Sequence, residues 1–147
     1  MAPEKIMMTF EGNVSMDLFF REFYPHPIGK VWAALTDPVA LAAWLMENDF
    51  EPIIGKRFSF RPQPVGGGRG LIECEVLALE PPARMVWSWQ STETDPPGRV
   101  EINLKAVEGG TELTLAHTGE TDPERRAQYA SGWAGKFAQL HKQLSSS

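Results

Sequence analysis

Apolar residues alternate with polar ones in several short stretches of this chain, and step by three and four residues in others. From Val14 to Phe23, the residues Val14, Met16, Leu18 and Phe20 share one face, while Phe19 and Phe23 make the other partly apolar; the pattern predicts a strand. Residues 1–12 show no clean period and read as a loose arm or a short edge strand. Pro25-His26-Pro27 ends the strand, because proline fixes φ and removes a ladder donor. Ile28, Val31, Trp32 and Leu35 then recur at helical spacing. A second short helix follows, with Asp37 as N-cap, Pro38 at its first position and Leu41, Trp44 and Leu45 as its apolar stripe. Helices this short are unstable alone and must pack on something.

Strands dominate the middle of the chain. Arg57 to Arg61 places Phe58 and Phe60 on one side. Gly66-Gly67-Gly68 predicts a flexible turn; no GK[ST] follows and no helix opens there, so a phosphate-cradling loop is excluded. Leu71 to Leu79 alternates Ile72, Cys74 and Val76 against Glu73 and Glu75, and Pro81-Pro82 ends it. Arg84 to Gln90 sets Met85, Trp87 and Trp89 against Val86 and Ser88. After the turn Asp95-Pro96-Pro97-Gly98, Val100, Ile102 and Leu104 share a face. Gly109-Gly110 then makes a tight hairpin into Leu113, Leu115 and His117. Such short links imply an antiparallel sheet with two different faces.

The last element reads as a long helix. Thr121 to Glu124 matches a capping box, with Asp122 and Pro123 inside it. Tyr129, Trp133, Phe137, Leu140 and Leu144 form one strongly aromatic face, and Ser145-Ser146-Ser147 reads as a solvated end. Gly132 and Gly135 interrupt the helix at a cost of ~1 kcal/mol each relative to alanine, which suggests a close backbone approach or a local bend, with a tolerated cost that has no structural purpose as the alternative. The expected fold class is α+β: about six antiparallel strands curved around the C-terminal helix, with two short helices after the first strand. One domain spans residues 1–147.

Composition narrows the partners. Formal net charge is -5 with 14 scattered basic residues, which argues against nucleic acid. No apolar run approaches the ~20 residues of a membrane span, and Met1 to Ile6 lack the pattern of a secretory signal. The single cysteine, Cys74, excludes an internal disulfide and suits a reducing compartment, so the cytoplasm is the default location. His26, His117 and His141 lie far apart with no paired cysteines, so neither a metal site nor a cofactor is expected.

Local text adds a resemblance. Residues 27–38, Pro-Ile-Gly-Lys-Val-Trp-Ala-Ala-Leu-Thr-Asp-Pro, lead on to Leu41 and Trp44-Leu45. Further marks are Gly55-Lys56-Arg57-Phe58, Glu75-Val76-Leu77, Pro81 to Trp89, Gly109 to Leu113, His117-Thr118-Gly119 and Gly132-Trp133. This ordered set resembles the helix-grip superfamily that includes START-type lipid binders and polyketide cyclases. It is most similar to the branch named after activators of the heat-shock chaperone ATPase, over roughly residues 14–144. The resemblance implies a helix-grip fold and an internal cavity, and leaves function open because one fold hosts many functions.

Candidate chemistry is sparse. Strand parity turns His117 inward, where a neutral ring can orient a polar ligand group or move a proton. The competing role is structural, a strand-end histidine bonded to nearby groups. Tyr129 can offer a phenol to a ligand or serve as core. Cys74 has no neighbouring base and reads as a small buried hydrophobe. With the resemblance, Trp44, Phe58, Phe60, Ile72, Cys74, Trp87, Trp89, Ile102, Leu104, Leu115, Tyr129, Trp133 and Phe137 are the expected cavity wall, and His117 the orienting group. The leading expectation is a binder of a small apolar or aromatic molecule. A cofactor-independent cyclase or hydrolase, and a chaperone-interaction module, are the alternatives; a chaperone contact and a homodimer stay open as partners.

Overall fold

The computed structural model describes residues 12–62, 71–91 and 96–146. Residues 1–11 of the arm expected at 1–12, the Gly66-Gly67-Gly68 turn and Asp95 of the following turn lie outside them. The first predicted strand is two strands, β1 (Val14–Ser15) and β2 (Leu18–Tyr24). The break falls at Asp17, whose φ of 28° is foreign to a strand. Helices α1 (Ile28–Thr36) and α2 (Pro38–Trp44) follow, joined at Asp37, whose side chain accepts from Ala40 N–H at 2.9 Å. Trp44 Nε1–H donates to the Ala34 carbonyl at 2.9 Å and fixes α2 against α1.

Next come β3 (Glu47–Asn48), β4 (Arg57–Arg61), β5 (Ile72–Glu80), β6 (Arg84–Trp89), β7 (Gly98–Val107), β8 (Gly110–Thr118) and β9 (Glu120–Thr121). The chain then enters α3 (Pro123–Ser145). Seven strands form one antiparallel sheet in the order β2-β8-β7-β6-β5-β4-β3, one more than the six expected, and β1 pairs with β9 apart from it. The additional strand is β3, two residues long and too short to show a period. A register shift between Val76 and Ala78 interrupts the β5–β6 ladder, and irregularities of this kind bend a sheet.

Two glycines make the β7–β8 turn possible. Gly109 has φ +83°, and a Cβ on Gly110 would collide with the Tyr24 carbonyl oxygen. The hairpin therefore seats closely on the end of β2. Thr111 Oγ1 donates to the His26 carbonyl at 2.7 Å beside it.

The concave face and α3 enclose the core. Trp133, Phe137, Leu140 and Leu144 are the buried residues of α3, as its period predicts. Phe137 meets Phe20 of β2 edge-on at 5.4 Å, and Tyr24 lies 4.4 Å from the His141 ring. The helix cap differs from the capping box expected at Thr121. Asp122 is the N-cap and accepts from Arg125 N–H at 2.7 Å, while Thr121 is fully buried and paired with Val14. Pairing between β1 and β9 takes Thr121 away from the helix.

Of the readings open for Gly132 and Gly135, a close backbone approach is the one the structure opposes. A methyl on either would meet no atom within 4 Å, so neither permits a close approach. Gly132→Ala and Gly135→Ala should each raise the unfolding free energy by up to ~1 kcal/mol through helix propensity. A loss of stability in denaturant titration would show that the added methyl does meet a neighbour.

Candidate functional site

A cleft of about 410 Å³ opens between α3 and the ends of β5 and β6. Ile72 of β5, Trp89 of β6, and Tyr129 and Trp133 of α3 form its wall, with Leu45 and Met46 from the end of α2. These arrive together because β-strand parity turns Ile72 and Trp89 inward while the four-residue step on α3 aligns Tyr129 with Trp133. Pro62, Ser91, Arg125, Gln128, Gly132 and Lys136 complete the lining.

The aromatic wall is held by its own hydrogen bonds. Trp89 Nε1–H donates to Tyr129 Oη at 3.0 Å, and Trp133 Nε1–H donates to His117 Nδ1 at 3.0 Å. Rings stack behind these bonds: Trp89 and Trp133 have centroids 5.7 Å apart, and Trp133 lies on Phe137 at 5.9 Å and 23°. Both indole donors are thus engaged by protein groups.

His117 is fully buried behind that wall, 4.8 Å from the Tyr129 ring and 5.3 Å from Trp89. Because Nδ1 accepts from Trp133, the proton of the neutral ring sits on Nε2. Nε2 has no hydrogen-bond partner among the described residues. His117 borders a void of about 10 Å³ with Tyr129, Trp89 and Ser91, comparable with the ~10–15 Å³ that one water requires. Burial pushes the His117 pKa down to about 4, so the ring is neutral at pH 7. A neutral donor here can hold a carbonyl or hydroxyl oxygen, and its first duty is to position Trp133.

The other expected wall residues lie deeper. Trp44, Phe58, Phe60, Trp87, Ile102, Leu104, Leu115 and Phe137 are buried in the core and do not line the cleft. They share the inward face with Ile72 and Trp89, and parity alone does not distinguish packed positions from cleft positions. Phe50, Phe58 and Phe60 surround Trp87 at 6.0, 5.6 and 5.4 Å. Cys74 is buried beside Phe58 in the ladder, and burial raises its thiol far above the range of a nucleophile.

Sequence reasoning missed the polar part of the lining. Arg125 lies four residues from Tyr129, Lys136 three from Trp133 and Gln128 four from Gly132, so the same helical wheel carried the signal. Arg125 pairs with Asp122 at 3.4 Å. A second groove, about 310 Å³, lies on the outer face of the sheet among Asp49, Arg57, Ser59, Glu73, Glu75 and Gln90. Among the described residues no group of three or more His, Cys, Asp or Glu side chains is placed to hold a metal ion. No described helix is long and apolar enough to cross a membrane.

A curved antiparallel sheet closed on a long C-terminal helix, with an aromatic cleft between them, defines a helix-grip protein of the START-like kind. Residues 25–145 match the family described as Activator of Hsp90 ATPase homolog 1-like protein, and the chain belongs to that family. Among solved structures it is similar to protein MLL2253 of Mesorhizobium loti, with 31% identity, 89% of this chain and 98% of that one covered, and a TM-score of 0.78. CalU16 of Micromonospora echinospora is 27% identical over 88% of this chain and 76% of its own, with a TM-score of 0.73. Protein BH1534 of Bacillus halodurans is 25% identical over 87% and 96%, with a TM-score of 0.73. No curated protein matches the chain.

Proposed function

We propose that the protein binds a small, largely apolar or aromatic molecule in the cleft between α3 and the β5–β6 edge of the sheet. The observation that carries this reading is the wall itself: Trp89, Tyr129 and Trp133 bound the cleft together with aliphatic side chains, and both indole N–H groups are already bonded. A surface with its polar donors engaged favours apolar contact, and a cleft of about 410 Å³ is within the ~300–1,000 Å³ usual for small-molecule sites. His117 supports orientation of the ligand through Trp133. A buried ring with no carboxylate bonded to either nitrogen among the described residues gives less support to acid–base turnover.

The test uses the two tryptophans as reporters. Native mass spectrometry of freshly purified protein should show a bound small molecule, or, after its removal, titration with apolar aromatic compounds should change the tryptophan emission. Trp89→Phe should remove most of that change. Saturating titrations across a panel of such compounds with no spectral or mass change would overturn the reading.

A further inference from the structure

We infer that the ligand is an acid: an apolar body, built of rings or a chain, carrying one ionised group that is held by Lys136 at the wall of the cleft. This rests on the cleft-binding reading above and adds the chemical class of the occupant. The whole chain carries a formal charge of -5, yet the described lining of the cleft contains Arg125 and Lys136 and no carboxylate. The outer groove on the opposite face is lined instead by Asp49, Glu73 and Glu75 with a single cation, Arg57. The sign of the cleft is therefore opposite to that of the molecule.

The two cations are not equivalent. Arg125 stands near the start of α3 with Asp122 3.4 Å away, so part of its charge is balanced. Lys136 is half-buried and has no ion-pair partner among the described residues. It sits one helical turn beyond Gly132, on the same face, and a Cβ on Gly132 would meet nothing within 4 Å. The missing side chain leaves open space beside the helix directly below the lysine. Gln128, one turn on the other side of Gly132, adds an amide to the same strip. An anion lying against this strip meets an unbalanced ammonium beside an apolar wall, where charge attraction is stronger than in bulk water. The ligand's apolar part then faces Trp89, Tyr129 and Trp133.

The experiment compares two dyes with one apolar skeleton. Anilinonaphthalene sulfonate carries an anion; phenylnaphthylamine is neutral. Affinities are measured by dye fluorescence at low ionic strength on the wild-type protein, Lys136→Met, Lys136→Arg and Lys142→Met, with unfolding midpoints recorded for each. The sulfonate should bind wild type about tenfold or more tightly than the neutral dye, the size expected for one hydrogen bond to a charged group. Lys136→Met should abolish that preference and leave the neutral dye unaffected, Lys136→Arg should retain it, and Lys142→Met, an exposed lysine outside the cleft, should match wild type. Equal affinity of the two dyes for wild type, or an undiminished preference in Lys136→Met, overturns the acidic ligand while leaving apolar binding standing. Binding of neither dye overturns both.

Discussion

Replacing Trp133 by alanine should lower the unfolding free energy by ~3–5 kcal/mol, the cost of removing a large aromatic side chain from a packed interior. Its side chain is only 3% exposed, stacks on Phe137 and packs against Trp89. It also donates the hydrogen bond that His117 Nδ1 accepts. Trp133→Phe separates these contributions: it keeps most of the apolar contact but leaves Nδ1 without its donor, so the loss should be ~1–3 kcal/mol. Denaturant titration measures both. Coincident wild-type and alanine curves would mean that the ring does not bridge helix and sheet.

The next largest effect is on pH dependence. The unfolded chain holds a proton on His117 below about pH 6.5, but the folded protein does so only below about 4. Between those values the unfolded state binds more protons, so stability rises with pH. The contribution is complete above 6.5 and is lost as the pH falls towards 4. The difference between the two pKa values, 6.5 and about 4, corresponds to ~3 kcal/mol at most. His117→Gln keeps an acceptor for Trp133 and removes the titrating ring, so its stability curve from pH 7 to 4 should be flatter by that amount. Carboxylates common to both proteins cancel in the comparison. Parallel curves would place the ring in contact with water.

Much of this architecture was written in short-range patterns. Arg57–Arg61 forms the predicted strand with its predicted inward pair, Phe58 and Phe60, and Asp37 caps α2 as its side-chain chemistry requires. The failures occur where distant parts of the chain decide. Thr121 and Asp122 are both good caps, and only pairing with Val14 selects between them. Alternation runs unbroken through Met16 and Asp17, so periodicity does not reveal the break between β1 and β2. For the cleft, parity told inward from outward but not shallow from deep. Trp87 and Trp89 share one face of β6, yet Trp87 is enclosed by phenylalanines while Trp89 reaches the cleft. Lys136 was readable from the helical wheel, but attention to apolar positions passed over it.

The pairing of β2 with β8 has a consequence for how the chain is made. Leu18 to Tyr24 form their ladder with His117 back to Thr111, across well over half of the chain. Until β8 has left the ribosome, β2 has no ladder partner among the described residues, and Tyr24 has no Phe137 carbonyl to which its hydroxyl can donate. Contacts so remote in sequence close slowly, because a long loop must be ordered before they form. During that interval Phe19 and Phe23, which remain 62% and 47% exposed even in the finished fold, sit on a strand that lacks its β8 partner. Such strands are the segments most prone to pair with another chain. Arg21, between the two phenylalanines, places a charge on the same outward face, where it pairs with Glu112 at 3.1 Å once β8 is in place. β2 thus emerges before its ladder partner and before the helix that closes the sheet, and until β8 arrives Arg21 is the charge that separates its two exposed phenylalanines.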